Sequence, residues 1–578
     1  MRAMLKSIWK HSTRKERWIF YLLLFLMFIA ANMELLGIGL LLPVVAVLTN
    51  PELLHQNYFL ELIYRVLRPE SPRSFLIVLC FLITGVFLVK NLFLIFMTWF
   101  QTAMIYRKST RMTDQLFRTY IFAPYARFLN WNTSDLLNRL HALRDNYNIF
   151  LLSLLMLLTE LLNVIMIFAM FFFFVPLVTL ILLAISLLIS LLIYFPLRTA
   201  NNRLGQDNFT AGEEQYRNEL QTLNGIKEIR IHGSEDVFAR RNLDILRRMN
   251  VIRCRINLNA QLPRFLLEVA MVCSAMLLLF LYLMFNTAST SIILKLSLIG
   301  AGIVRLMPAL SRIQYHFTNM RHLLFSLDSV CGDMDSIPAE EDPGHDNAPA
   351  ITLEREISVE HLTFSYEGTS RPVLHDFSLT VPVNSSVAFI GRTGCGKTTL
   401  ADLIAGLLTP DSGRILADGR NIHENLRSWR SLIGYVPQDI YIMDDTILNN
   451  VALGIPPEQV SEEKVAEAIR MAQLDDFIRT LPDGLRTVVG EQGARLSGGQ
   501  RQRIGIARAL YHHPRILILD EATSALDNET EKAFIDAIRT LQGKLTMFII
   551  AHRLTTTRDC DKIIDVAVQT ERNNLKDK

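Results

Sequence analysis

Up to about Leu310 the chain alternates long apolar runs with basic stretches, and beyond about Asp328 the apolar runs shorten to strand and helix length. Crossing a bilayer core takes roughly 20 apolar residues per helix. Six segments meet that requirement: 18–49, 74–100, 147–174, 177–197, 266–285 and 291–310. The first is long enough to tilt, or to break near Gly37, Gly39 and Pro43. It lacks a small-residue cleavage site, so an anchor is expected and not a removed signal. A basic N-terminus also suits a mitochondrial transit peptide, the competing reading.

Lys and Arg set the orientation. The first 17 residues hold six, the segment 101–146 seven and the segment 198–262 eleven, against three in 50–73. This bias places both termini and the long basic connectors in the cytoplasm. Those connectors mix polar with apolar residues, which predicts helices continuing past the bilayer. Within 50–73, Phe59, Ile63, Val66 and Leu67 share one helical face, predicting a helix on the outer membrane surface, with a solvated loop helix as the alternative. Acidic and Pro-rich residues in 331–350 predict a linker. The expected organisation is 1–328 transmembrane, 329–350 linker and 351–578 soluble α/β.

Composition narrows the classes. Half of the 578 residues are hydrophobic and 20% are charged, which excludes a disordered chain. A net charge of +3 argues against a nucleic-acid partner. Six scattered cysteines lack metal-ligand spacing and read as reduced thiols.

Candidate chemistry lies in the second part. Residues 386–408 read strand, Gly-rich loop, helix, with the loop Gly391-Arg392-Thr393-Gly394-Cys395-Gly396-Lys397-Thr398-Thr399. Glycines let backbone N–H groups close around phosphates, and the helix N-terminus adds a favourable dipole. Lys397 is placed for the β- and γ-phosphates of a nucleotide, and the Thr398 hydroxyl for Mg²⁺. Downstream, 516–521 is a buried-strand pattern ending in Asp520 and Glu521. Asp520 is expected to hold Mg²⁺, and Glu521 to polarise the attacking water. The same helix N-terminus and Lys397 are expected to lower the pKa of the Cys395 thiol.

Leu496-Ser497-Gly498-Gly499-Gln500, followed by RQRIGIARAL, resembles the signature motif of the ATP-binding cassette (ABC) transporter family. The other parts follow in the family's order. Tyr366 resembles the aromatic stacking on adenine, and Gln438 the residue that senses Mg²⁺. Residues 487–493 resemble the exporter-type loop before the signature, 524–527 the loop crossing a dimer interface, and His552 the switch histidine at the γ-phosphate. The resemblance implies six spans fused to one cassette: a membrane all-α six-helix transmembrane domain with cytoplasmic helical extensions, joined to an α/β phosphate-loop NTPase cassette. It also implies a dimer, because ATP sits between the phosphate loop of one copy and Ser497 to Gln500 of the other. A homodimer is the simplest assembly, with a heterodimer open. After Asp565 the chain departs from the family pattern, so the last cassette elements are expected to be shortened or altered.

Ionisable residues inside spans are costly and usually face a cavity or one another. Lys90, Arg264, Arg305 and Arg312 fall towards the cytoplasmic ends of their spans and suggest a cationic cavity for a phosphate-bearing head group. Three other readings compete: cytosolic position, neutralisation of Glu34, Glu160 or Glu268, and positive-inside bias. The stretches VRLMPALSRI and QLPRFLLE, with the early Glu34, resemble the PglK-like flippases of lipid-linked oligosaccharide. That resemblance implies that the four basic residues line a pyrophosphate path. Candidate coupling helices are 132–141 and 207–219, with generic amphipathic helices as the alternative. The expectation is an ATP-hydrolysing exporter or flippase of an anionic amphiphile, multi-pass in a membrane, best matched by the bacterial inner membrane. An exporter of another lipid, drug or peptide, an importer, and a nucleotide-regulated channel or sensor are the rivals.

Overall fold

The computed structural model describes residues 6, 8–39, 72–174, 176–285, 291–338, 349–369, 371–522, 535–536, 538–551, 557 and 559–569. The expected outer-surface helix in 50–73, residues 524–527 and His552 lie outside these. The chain divides into two compact units, 1–121 with 131–338, and 122–130 with 339–578.

The first unit is helical. Its long helices are α1 (Arg14–Gly39), α2 (Pro72–Ile121), α4 (Thr133–Phe174), α5 (Pro176–Asn224), α6 (Glu235–Phe285) and α7 (Ser291–Ser336). A four-residue helix, α3 (Tyr125–Phe128), belongs to the second unit. Among the described residues, three helical segments are long and apolar enough to cross a membrane: Arg14–Glu34, Cys80–Ile121 and Thr133–Ala169. In α1, Leu23, Met27, Ala30 and Ala31 are buried while Trp18, Phe25 and Phe28 are exposed. One face thus packs on protein and an equally apolar face suits lipid.

The helices run well beyond bilayer length. In α2 the buried positions Met97, Gln101, Ile105, Lys108, Met112 and Leu116 keep a three-to-four-residue spacing through the polar half, so one seam is continuous along the helix. In α7, Met320, Leu323, Leu327 and Val330 are buried at the same spacing. This corrects the expected linker boundary: residues 329–336 are helix. The apolar period continues through them, and Asp333 accepts hydrogen bonds from Tyr120 Oη and Arg139 Nη1, each 2.7 Å. Pro196, Pro263 and Pro308 sit inside α5, α6 and α7.

The second unit carries two sheets. β1 (Glu356–Phe364), β2 (Leu374–Pro382), β4 (Ser412–Ala417) and β5 (Arg420–Asn421) form an antiparallel sheet in the order β2-β1-β4-β5. β3 (Ser386–Ile390), β6 (Ile433–Val436), β7 (Ile516–Asp520), β8 (Thr546–Ile550) and β9 (Lys562–Asp565) form a parallel sheet in the order β6-β7-β8-β3-β9. All five residues of β7 and of β8 are buried, as expected for a parallel strand covered on both faces. Helix α8 (Lys397–Ile404) follows β3, and α9 (Glu462–Met471) and α10 (Gly498–Leu510) lie further along the chain. β9 is followed by a helical turn at 566–569.

Candidate functional site

Ligands of parallel α/β sheets bind beyond the carboxyl ends of the strands, and the candidate residues converge there. β3 ends at Ile390 and the chain enters the glycine loop. Gly391, Gly394 and Gly396 have φ of +139°, +81° and +99°, conformations that L side chains rarely adopt. At Gly391 a Cβ would also lie 2.8 Å from Cys395 Sγ, and at Gly396 2.9 Å from Val373 Cγ1, so neither position has room for a side chain.

Lys397 is 5% exposed and opens α8. Its ammonium donates to Gly391 O at 2.9 Å and Arg392 O at 3.3 Å, both carbonyls of its own loop. Arg392, Thr393 and Gly394 are exposed, as is Thr398. At the end of β7, buried Asp520 accepts from Thr398 Oγ1 through Oδ1 at 3.3 Å. Burial raises the Asp520 carboxyl, with the Thr398 hydrogen bond opposing. Hydroxyl and carboxylate oxygens at this spacing are the hard donors Mg²⁺ prefers, with phosphate and water completing its shell. No group of three or more His, Cys, Asp or Glu side chains among the described residues is arranged for a metal.

Glu521 has φ of +47° and its N–H bonds Ile550 O at 3.1 Å. The strand therefore ends in a left-handed turn at Glu521, whose charge still acts on the Asp520 carboxyl. Gln438 Nε2 donates to Glu521 Oε2 at 2.9 Å. Tyr366 packs edge-on against Phe364, and its hydroxyl lies 2.9 Å from Thr399 Oγ1. The signature residues are built separately. Ser497 caps α10 in a reciprocal box: its Oγ accepts from Gln500 N at 3.2 Å and Gln500 Oε1 accepts from Ser497 N at 2.8 Å. Ser497 remains exposed, with Gly498 and Gly499 partly exposed beside it.

Three residues absent from the sequence-based set lie beside the loop. Asp402, on α8, is 6% exposed and its carboxyl is pushed up to about 6 by burial and by the charge of Asp520. Tyr435 Oη donates to Asp402 Oδ1 at 3.4 Å and to Asp520 Oδ2 at 3.5 Å. Tyr125, on α3, has its phenol raised by burial and by the charges of Asp402 and Tyr366. A lone acid in the apolar run TLADLIAGLL is the signal that could have found Asp402. Nothing in the local pattern marks Tyr125. The segment grouped with the cassette is thus 122–130, while 132–141 and 207–219 fall in the first unit.

The four basic residues expected along a substrate path each have their own surroundings where described. Lys90 Nζ stands 5.1 Å over the Phe87 ring, and Arg264 is exposed next to Pro263. Arg312 pairs with Glu160 through Nε–Oε1 at 2.6 Å and Nη2–Oε2 at 3.1 Å. Arg305 lies on α7, and its side chain is outside the described ones.

Known proteins agree with this layout. The family described as "ABC transporter transmembrane region" matches residues 36–290, and "ABC transporter" matches 374–524. An ATP-dependent lipid A-core flippase of Shigella sonnei (strain Ss046) is 36% identical over 367 residues, 62% of this chain and 61% of its own length. The protein of that description from Escherichia coli (strain K12) is 45% identical over 225 residues, 38% of each. The matches therefore span about three fifths or less of these relatives' lengths. The structure of a bacterial Atm1-family ABC exporter with ATP bound superposes with a TM-score of 0.72 at 22% identity, over 93% of this chain and 94% of that one. At that identity the likeness establishes the fold: a helical transmembrane domain fused to an ATP-binding cassette.

Proposed function

We propose, for a chain that belongs to the half-transporters of the ABC exporter family, ATP-driven flipping of a phosphorylated glycolipid across a membrane. The observation that carries the ATPase part is the convergence of Lys397, Thr398, Asp520, Glu521 and Gln438 at the carboxyl ends of β3 and β7, tied by the Thr398–Asp520 and Gln438–Glu521 hydrogen bonds.

In this reading nucleotide exchanges its phosphate oxygens for the loop carbonyls that Lys397 now contacts. Thr398, Asp520 and Gln438 would hold Mg²⁺, which when bound would neutralise phosphate charge. The Gln438 amide donates to one oxygen of Glu521 and so orients the carboxylate proposed to polarise the attacking water. Exposed Ser497 and the amides of Gly498 and Gly499 offer hydrogen bonds and a helix dipole to the γ-phosphate bound by a second copy. A homodimer with two competent sites follows, each site also taking His552. Segment 122–130 carries cassette closure to the spans.

The substrate reading rests on chemistry shared by two sources. The relatives are described as lipid A-core flippases, and the sequence resembles flippases of polyprenyl-pyrophosphate-linked oligosaccharide. Both cargoes join apolar chains, phosphate and sugar. We favour the polyprenyl-pyrophosphate form, with lipid A-core as the second reading, and a bacterial inner membrane as the host. Reconstitution in liposomes with a fluorescent polyprenyl-pyrophosphate sugar tests it. ATP-dependent protection of the sugar from an external glycosidase, absent in Glu521→Gln, supports the reading. ATPase activity without protection removes that cargo, and stimulation by lipid A-core instead would select the second.

A further inference from the structure

A cavity of about 370 Å³ opens in the first unit, where the N-terminal residues meet α1, α2 and α4. Its wall is mostly apolar, with Trp9, Phe20, Met104 and Leu155 contributing. Set into that wall are three cations, Lys6, Arg17 and Lys108, and one carboxylate, Glu16. Glu16 already pairs with Arg111 at 3.0 Å. Four cations therefore share one acid.

Lys108 is 8% exposed. Its ammonium donates to Ser12 Oγ at 2.5 Å, and Ser12 donates onward to Ile8 O at 2.5 Å. A buried ammonium held this way has donor capacity left over, and burying it costs free energy unless a further acceptor approaches. Arg17 is oriented over the Trp9 ring at 5.2 Å and by a 2.9 Å bond to Trp9 O, yet its Nε is buried without a hydrogen-bond partner. Glu16 is the carboxylate whose charge reaches Lys108, and among the described hydrogen bonds neither Lys108 nor Arg17 donates to a carboxylate.

The cavity's depth in the membrane is marked by aromatic residues. Trp9, Phe20, Tyr21 and Trp18 make edge-to-face contacts just where the first apolar run begins. Such amphipathic rings settle at the head-group level of a bilayer. Cations facing an apolar wall at that level match an anionic head group joined to an acyl chain.

We infer that this cavity binds an anionic phospholipid of the membrane, its phosphate on Arg17 and Lys108 and its upper acyl chain on Trp9, Phe20, Met104 and Leu155. The lipid is a resident one and not cargo, so the inference stands apart from the flippase reading.

Native mass spectrometry of the full-length protein, released from mixed phosphatidylglycerol and phosphatidylcholine nanodiscs, tests it. A retained lipid with a phosphatidylglycerol preference is expected. Arg17→Gln should lower that preference about fivefold. Lys15→Gln removes equal charge from an exposed position outside the cavity and should leave the preference unchanged. Because Lys108→Met disturbs a buried site, it is read only alongside Arg17→Gln, and loss of preference in either folded variant supports the assignment. Glu521→Gln should bind lipid like the wild type even if transport fails. Equal retention of the two lipids, or equal effects of Lys15→Gln and Arg17→Gln, would overturn the cavity. Thermal protection by glycerol phosphate as strong as that by the lipid would reassign it to free phosphate.

Discussion

Arg312 and Glu160, 152 residues apart, form a two-pronged ion pair between α7 and α4, with Nε–Oε1 at 2.6 Å and Nη2–Oε2 at 3.1 Å. The glutamate side chain is 11% exposed and the arginine 49%. The pair therefore joins a buried charge to a half-exposed one, and an anionic ligand would compete with Glu160 for the guanidinium. Arg312→Met strands the acid, while Glu160→Gln frees the cation. A double-mutant cycle on unfolding should give a coupling of about 1–2 kcal/mol, below a fully buried pair because the arginine is partly solvated. Glu160→Gln should also lower, severalfold, the lipid concentration that half-maximally stimulates ATPase. An unchanged value would make Arg312 purely structural.

Glu521 carries the second prediction. The chain turns left-handed at Glu521, and Gln438 fixes one oxygen of its carboxylate. Glu521→Gln keeps the shape and removes the base. Turnover should fall by about 10²-fold or more with nucleotide affinity retained. Gln438→Ala should cost less, since it loosens the carboxylate without removing it. A Glu521→Gln turnover near wild type would locate the base elsewhere.

The glycine loop, the strand ending in Asp520-Glu521 and the signature serine were legible because each is a local pattern whose residues fold within one strand–loop–helix or helix cap. The polar extension of α2 was legible from its basic connector, which mixes polar with apolar residues, whereas the end of α7 was not. Pairings between distant elements were not. Arg312 and Glu160 read as separate span charges, and neutralisation was one alternative among several. Residues 329–336 read as linker from composition, although Val330 and Cys331 continue the buried face of α7. Segment 122–130 is too short to show a period, whereas the more amphipathic 132–141 attracted the coupling role.

Asp402 links pH to cassette stability. Its carboxyl is pushed up to about 6 from an ordinary value near 4. Between those values the folded state keeps a proton that the unfolded state has released, so stability falls as pH rises from about 4 to 6 and the loss is complete above. Asp402→Asn removes the ionisation. It should stabilise the cassette by on the order of 2 kcal/mol at pH 7.5, with the gain shrinking towards pH 5. Thermal unfolding at both pH values checks this, and a gain independent of pH would mean that the charge is not its source.

Cys395 provides a chemical probe of the loop. It is partly exposed, and its sulfur packs where Gly391 has no side chain, so an added group must push the loop out of shape. Cys331 is buried, and burial pushes the Cys560 thiol up to about 11. Alkylation should abolish ATPase, bound ATP should slow the loss, and Cys395→Ser should be resistant. Equal sensitivity of Cys395→Ser would assign the inhibition to another thiol.

Tyr125 tests how the nucleotide site communicates. It lies in the one stretch from the helical part of the sequence that groups with the cassette. There, Asp402 of the phosphate-loop helix and Tyr366 both act on its phenol, and Tyr366 in turn touches Thr399. A change at the loop therefore reaches segment 122–130 through one layer of side chains. Shortening that layer with Tyr125→Ala leaves every ATP-site residue in place. Basal ATPase should stay within about threefold of wild type while lipid-stimulated ATPase and transport fall together. Tyr125→Phe retains the ring and should restore both. Loss of basal ATPase in Tyr125→Ala would instead make the residue part of the nucleotide site, and full transport would return the coupling role to 132–141 or 207–219.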